Sequence, residues 1–263
     1  MRRRIGVLLA VAALTPAACS SSGGSSAPGS AHAGGSAAAL SGSITVFAAS
    51  SLTEAFTTLG QQFDKAHPGA HVGFDFDSSS TLAASIQQGQ PADVFASASP
   101  TNMATVVSSG QVNRPQNFTR NQMEIATPPG NPAGIKTVAD LAKPGVKVAL
   151  CDAAVPCGAT AEKVFQNAHV TVRATASEPD VKSTIGVVTT KEVDAGMVYV
   201  TDVRAAGKQV TGVPIPSSVN ASTTYPIATV KAGAHHELAQ AWVAYVLSPA
   251  GRKVLAADGF LSP

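Results

Sequence analysis

From Ser43 onward the chain alternates between two hydrophobic periods. SITVFA is an apolar, β-branched run and reads as a strand. SLTEAFTTLGQQFDKA sets Leu52, Ala55, Phe56, Leu59 and Phe63 on one helical stripe, with Glu54, Gln61, Asp64 and Lys65 off it. HPG closes that helix, and HVGFDFD alternates Val72, Phe74 and Phe76 with other residues, a strand. STLAASIQQG predicts a short helix, ADVFAS a buried strand, and NMATVVSSG a further helix. The scheme then repeats. VKVALCD is a strand, and GATAEKVFQNA a helix with Ala161, Val164, Phe165 and Ala168 on one face. PDVKSTIGVVTTKEV is a helix with Val181, Ile185 and Val188 inward. AGMVYV and TTYPIATV are strands, and HELAQAWVAYVLSP is a helix with Leu238, Trp242, Tyr245 and Val246 inward.

Alternating strands and helices imply an α/β fold whose mostly parallel sheet is covered on both faces. No fixed-period repeat is present, which argues against solenoids and propellers.

Serines recur where strands give way to helices. Ser50 and Ser51 follow the first strand, and Ser78, Ser79 and Ser80 follow the second. A third strand leads through AAVPCGAT into a helix opening near Cys157 and Gly158. A fourth helix opens after ASEPD, where Ser177 and Asp180 make an S-x-x-D capping signature and Pro179 suits a first turn. One serine at such a place is usually an N-cap. Several helix starts after parallel strands gather at the carboxyl edge of the sheet, where open α/β folds bind ligands. Their unpartnered N–H groups and positive dipole ends make an anion site.

No Lys or Arg occurs in AASSLT, DSSSTL or AAVPCGAT. An anion held there is held by neutral donors, each hydrogen bond to a charged group contributing roughly 1.5–3 kcal/mol. Donors alone select a fully deprotonated oxyanion. A protonated one brings an O–H that needs an acceptor, and these segments offer none.

Composition narrows the class. The 263 residues are 44% hydrophobic and only 13% charged, with a formal charge of +2, so nothing suggests nucleic acid. The opening MRRRIGVLLAVAALTPAAC has a basic start, a short apolar run and small residues before Cys19, the pattern of a secretory signal over residues 1–18. A cysteine at that point is similar to the lipidated first residue of a bacterial lipoprotein. Pro16 departs from the aliphatic residue usual there, and ordinary cleavage with Cys19 free or paired is the competing reading. Residues 19–42 are nearly all Ser, Gly and Ala and read as a flexible tether. The body is then exported and anchored to the outer face of the cell membrane through lipid alone. With Cys19 set aside, Cys151 and Cys157 are an even pair in an oxidising compartment, either a disulfide or two small buried thiols. Neither has metal-ligand spacing to a His or a further Cys.

ITVFAASSLTEAF, FDSSSTLAASIQQGQPADVFASAS, VPCGATAEKVF, DAGMVYVTDV and YPIATV together closely resemble the periplasmic molybdate-binding proteins of bacterial ABC importers, from about Ile44 to Phe260. The resemblance implies a bilobal type II periplasmic-binding-protein fold that bends at a hinge. It implies a ligand, molybdate or tungstate, held between lobes with no cofactor, no catalysis and no direct ligand to the metal atom. It places the oxyanion on Ser51 and Ser79 through hydroxyl and N–H, on backbone N–H groups at Cys157 and Val181, and on the Tyr199 hydroxyl. Cys157 stands where the family usually has alanine. The first lobe is expected over 43–123 and 224–263, the second over 124–223, with crossovers near Gln122–Ala126 and Thr223–Tyr225. A monomer working with an ABC permease is implied.

Two other functions share these features. Another tetrahedral oxyanion such as sulfate would use similar donors. A serine hydrolase would use Ser51 or Ser79 as nucleophile, but there is no G-x-S-x-G elbow. His235 and His236 are adjacent and cannot face one ligand from a helix. Asp75, Asp77, Asp93 and Asp152 at strand ends read as structural, and Asp202 as a residue that orients the site.

Overall fold

The computed structural model describes residues 39–263, so the signal, Cys19 and nearly all of the tether lie outside the described residues. The elements run β1 (Ser41–Ala49), α1 (Thr53–Ala66), β2 (Gly69–Asp77), α2 (Ser79–Gln87), β3 (Val94–Ala96), α3 (Pro100–Ser108) and β4 (Gln116–Thr127). They continue through β5 (Val148–Cys151), α4 (Pro156–Ala168), β6 (Ala176–Glu178), α5 (Val181–Thr189), β7 (Ala195–Tyr199) and α6 (Val200–Ala206). The chain ends with β8 (Thr211–Pro214), β9 (Ser222–Thr229), α7 (His236–Leu247) and α8 (Pro249–Asp258).

The strands join in the order β2-β1-β3-β9-β4-β7-β5-β6, with β8 also paired to β4. β1 pairs in parallel with β2 and β3, and β5 with β6 and β7. Every antiparallel pairing involves β4 or β9. These two strands pass between the halves of the fold, and that passage reverses their direction relative to the strands they meet. The mostly parallel α/β sheet expected from the sequence is present, with its antiparallel part confined to the crossover strands.

Two large hydrophobic cores follow. One is built from residues of 44–118 and 225–260 around the aromatic group Phe56, Phe63 and Trp242. The other is built from residues of 123–215, including Met123, Val148, Phe165 and Met197. Phe56 and Phe63 meet the Trp242 ring edge-on at 5.7 and 5.6 Å, a favoured aromatic arrangement. No helix among the described residues is long and apolar enough to cross a membrane.

Two details differ from the sequence expectation. Asp180 alone caps α5, because Ser177 is taken into the β5–β6 ladder opposite Leu150 and Pro179 lies before the cap. The helix also stops at Thr189 instead of Val193. There Thr189 Oγ1 donates back to the Gly186 carbonyl at 2.7 Å, and Lys191 turns to a positive φ of 63°.

Candidate functional site

The register of the sheet delivers the site. β1 and β2 pair from Ser41↔Gly69 to Ala49↔Asp77, so both strands end at one edge and release Ser50–Ser51 and Ser78–Ser79 side by side. β5, β6 and β7 end at their own carboxyl edge and lead into α4, α5 and α6. Ser51, Ser79, Cys157, Val181 and Tyr199 all line one cavity of about 210 Å³ of empty space.

Each helix start is prepared differently. Ser78 caps α2 by accepting from the Thr81 N–H at 3.2 Å, which leaves Ser79 as the first helical residue. Pro156 occupies the first position of α4 and has no N–H, so Cys157 carries the first free one. Asp180 caps α5 by accepting from Lys182 N and Ser183 N at 2.7 and 3.1 Å, leaving the Val181 N–H outside that cap. No acidic residue lies in the first turn of α2 or α4, whereas the α5 end carries the Asp180 carboxylate at its cap.

Ser51 is not an N-cap. It sits in a 3-10 turn, Ser50–Leu52, and its hydroxyl lies 2.8 Å from the hydroxyl of Tyr225, 174 positions away in sequence. Ser79 Oγ accepts from the Ala98 N–H at 2.8 Å. Tyr199 is 1% exposed, and its hydroxyl makes no hydrogen bond of normal geometry among the described residues, although the Thr160 hydroxyl is close enough to pull its pKa down slightly. Burial raises its pKa far above the usual tyrosine value, so it stays a neutral O–H donor. The structure joins Cys151 and Cys157 in a disulfide, which ties the start of α4 to the end of β5.

No Lys, Arg or His lines the cavity. Neither serine therefore has a histidine or lysine base beside it in the lining. Among the described residues no group of three or more His, Cys, Asp or Glu could hold a metal ion. The expectation that no acceptor approaches the site is corrected: Asp77 and Asp180 also line the cavity. Asp180 is engaged through both oxygens and Asp77 through one. Asp180 Oδ1 takes the two backbone N–H groups named above, and its Oδ2 takes the Ser183 hydroxyl at 2.9 Å. Asp77 Oδ1 accepts from the Ser78 N–H.

The family model described as bacterial extracellular solute-binding protein matches residues 44–261. The chain belongs to this family. Its members bind solutes and are not enzymes. This solute-binding protein is 39% identical over 222 residues to the molybdate-binding protein ModA of Mycobacterium bovis, covering 84% of this chain and 85% of that one. In fold it is similar to the periplasmic molybdate-binding protein of Azotobacter vinelandii (TM-score 0.75, 18% identity, 84% and 99% of the two chains). It is similar also to the sulfate-binding protein SubI of Mycobacterium tuberculosis (TM-score 0.73, 19% identity, 83% and 86%).

Beside the cavity of the solute-binding protein lies an ionic cluster that the sequence did not reveal. Lys182, next to Val181, reaches both Glu54 oxygens at 2.8 and 2.7 Å, and its Nζ is 3.4 Å from Asp202 Oδ1. Asp202 Oδ2 accepts from the Tyr199 N–H at 3.1 Å, so this residue holds the start of α6. Burial works against the Lys182 charge, but Asp202 and Glu54 keep its pKa above the usual lysine value. Burial pushes Asp202 up to about 6, against the pull of Lys182.

The folded protein therefore binds a proton that the unfolded chain has released between about pH 4 and pH 6. Stability from this group is fully present below its unfolded pKa and is lost as pH rises through about 6. The loss amounts to about 3 kcal/mol. In urea unfolding at pH 4.5, 6 and 7.5, Asp202→Asn is expected to lack this decline. Parallel pH profiles for the native protein and the variant would show that Asp202 does not titrate in this range.

Proposed function

We propose that this protein is the extracytoplasmic receptor of an ABC importer for molybdate, with tungstate as an equivalent ligand. Molybdate and tungstate are small tetrahedral dianions without protons at neutral pH, and the hydroxyls and N–H groups of the cavity are donors to them, while the Asp180 carboxylate beside these is taken up by the first turn of α5. The observation that carries the reading is the Tyr199 hydroxyl, buried, neutral and unpartnered, in a cavity it shares with two serine hydroxyls and the starts of α2, α4 and α5. A buried donor without a partner costs about 1–3 kcal/mol, which an anion accepting from it relieves. Ser51, Ser79 and Tyr199 contribute hydroxyls, and Cys157 and Val181 contribute backbone N–H groups. The curated relative's name, molybdate-binding protein, supports the same ligand.

The two cores support two lobes, 43–123 with 224–263 and 124–223, closing on the ion about β4 and β9. Lys182 and Glu54 come from opposite cores and lie beside the cavity, so their pair favours the closed arrangement. A lipid on Cys19 and the tether of residues 19–42 would keep a monomeric receptor beside its permease.

Thermal unfolding of protein lacking residues 1–38 tests the reading. At about a hundred times Kd, molybdate adds about 2.7 kcal/mol. For a chain of this size that raises Tm by roughly 5–10 °C. Tungstate is expected to match it, sulfate to give much less, and phosphate almost nothing. A larger shift with sulfate than with molybdate would transfer the assignment to sulfate.

A further inference from the structure

The sites that close on a small anion depend on which way each hydroxyl points, and one of these directions is set from a distance. Asn121 of β4 is fully buried. Its Oδ1 accepts from the Gln122 N–H at 3.0 Å, which fixes the amide so that its nitrogen faces the other way. That nitrogen donates to Thr201 Oγ1 at 2.9 Å and reaches the Tyr225 hydroxyl at 3.5 Å. A carboxamide nitrogen can only donate, so the Tyr225 oxygen accepts there. Tyr225 is completely buried in β9, and burial keeps its phenol protonated. Its other hydrogen-bond neighbour among the described residues is Ser51 Oγ at 2.8 Å, the acceptor that a buried phenol proton requires. With a lone pair so occupied, Ser51 has its own proton to give, and the cavity is where it faces.

We infer that Asn121 and Tyr225 are positioning residues: a one-way hydrogen-bond chain, Asn121 to Tyr225 to Ser51, turns the Ser51 proton toward the bound oxyanion, so that a protonated anion presenting its own O–H there meets a donor. Neither residue lines the cavity. Both belong to the crossover strands β4 and β9. Ser79 is polarised in the same sense by the Ala98 N–H, so both serine hydroxyls enter the cavity as donors. The inference rests on the proposed oxyanion site and deepens it, because it explains selection by protonation state and not merely by size.

The test compares the native protein with Tyr225→Phe, using calorimetric titration with sodium molybdate and with inorganic phosphate at pH 6, where phosphate carries protons. Without the phenol proton the Ser51 hydroxyl is free to rotate its own proton away from the cavity and turn a lone pair toward a P–OH group. Molybdate affinity is expected to fall on the order of fivefold to tenfold, and the molybdate-to-phosphate affinity ratio to shrink about tenfold. Asn121→Asp reverses the chain, because an acceptor then faces Tyr225, and it is expected to narrow the ratio as well. It serves as the second variant should Tyr225→Phe fail to fold. Equal weakening for both anions, or no change, would reduce Tyr225 to a structural role and overturn the chain while leaving the oxyanion site intact. Absence of binding of any oxyanion by the native protein would overturn both.

Discussion

Tyr199→Phe should weaken molybdate binding about ten- to hundredfold and at the same time leave the ligand-free protein as stable as before, or more so. The two halves of that result have one cause. The Tyr199 hydroxyl lies in the cavity, is buried, and has no partner among the described residues. In the ligand-free protein it is a donor removed from water without compensation, costing about 1–3 kcal/mol, and phenylalanine removes that cost. With the dianion present the same hydroxyl makes a hydrogen bond to a charged group, worth about 1.5–3 kcal/mol, and phenylalanine forfeits it. Substitution of a buried residue normally lowers stability, so opposite signs for stability and affinity mark a group kept for its ligand. Calorimetric titration gives the affinity, and urea unfolding without ligand gives the stability. Unchanged affinity with lowered stability would mean that the hydroxyl serves the fold and would remove Tyr199 from the site.

The absence of a cation from the lining bears on how such a receptor releases its cargo. A buried Lys or Arg against a dianion makes an attraction that is hard to break in a low-dielectric cavity. In the proposed site, neutral hydroxyls and helix starts would hold the ion through moderate contacts from both sides, Ser51 and Ser79 on one and Cys157, Val181 and Tyr199 on the other. Separation of the proposed lobes would then remove about half of those contacts at once. The charged cluster is set beside the cavity: Lys182 spans from Glu54 on α1 to Asp202 on α6 and touches no lining hydroxyl. Its energy goes into the relation between the two sides and not into the ion.

The parts of this design that are local in sequence were legible in it. The stripe on α1 from Ala55 to Phe63, the stripe of Val181, Ile185 and Val188 on α5, and the serines after β1 and β2 each declare themselves within a dozen residues. Neither β4 nor α8 does so. In β4, Phe118 belongs to one core and Met123 and Ile125 to the other, with a register shift between Asn117 and Thr119, so no single face alternates cleanly. α8 buries only Gly251 and Leu255, too few apolar positions to show a period. β6 and β8 are as short as β3 and β5 but have no fully buried residue and no apolar run to mark them. The roles of Asn121 and Tyr225 are invisible for another reason. Their partner Ser51 is remote in sequence, and a strand tyrosine carries no local sign of where its hydroxyl points. Asp180 was readable as a cap and Asp77 as a structural residue at a strand end, but neither as cavity lining, since only the three-dimensional convergence of β2 and α5 brings them there.

Gly158→Ala should be the most damaging single-methyl change near the site. Gly158 is an ordinary helical residue, so its side chain is limited by space and not by backbone angle. A Cβ there would lie 2.0 Å from the Asp152 carbonyl oxygen and 2.8 Å from that of Cys151, both backbone atoms that cannot swing aside. The start of α4 must then retreat from the end of β5 against the Cys151–Cys157 disulfide that ties the two together. Overpacking of this kind costs about 1–3 kcal/mol and occasionally more, and here the upper end is expected because backbone meets backbone. Retreat of α4 also carries the Cys157 N–H away from the anion, so molybdate affinity should fall by about tenfold or more. Gly186→Ala is the control. It makes the same change inside α5, where a Cβ meets nothing within 4 Å. Alanine there should add about 0.5–1 kcal/mol through helix propensity and leave affinity untouched. Urea unfolding and calorimetric titration of the pair decide the matter. If Gly158→Ala proved as harmless as Gly186→Ala, the close approach of α4 to the β5 terminus, and with it the placement of the Cys157 N–H in the cavity, would have to be abandoned.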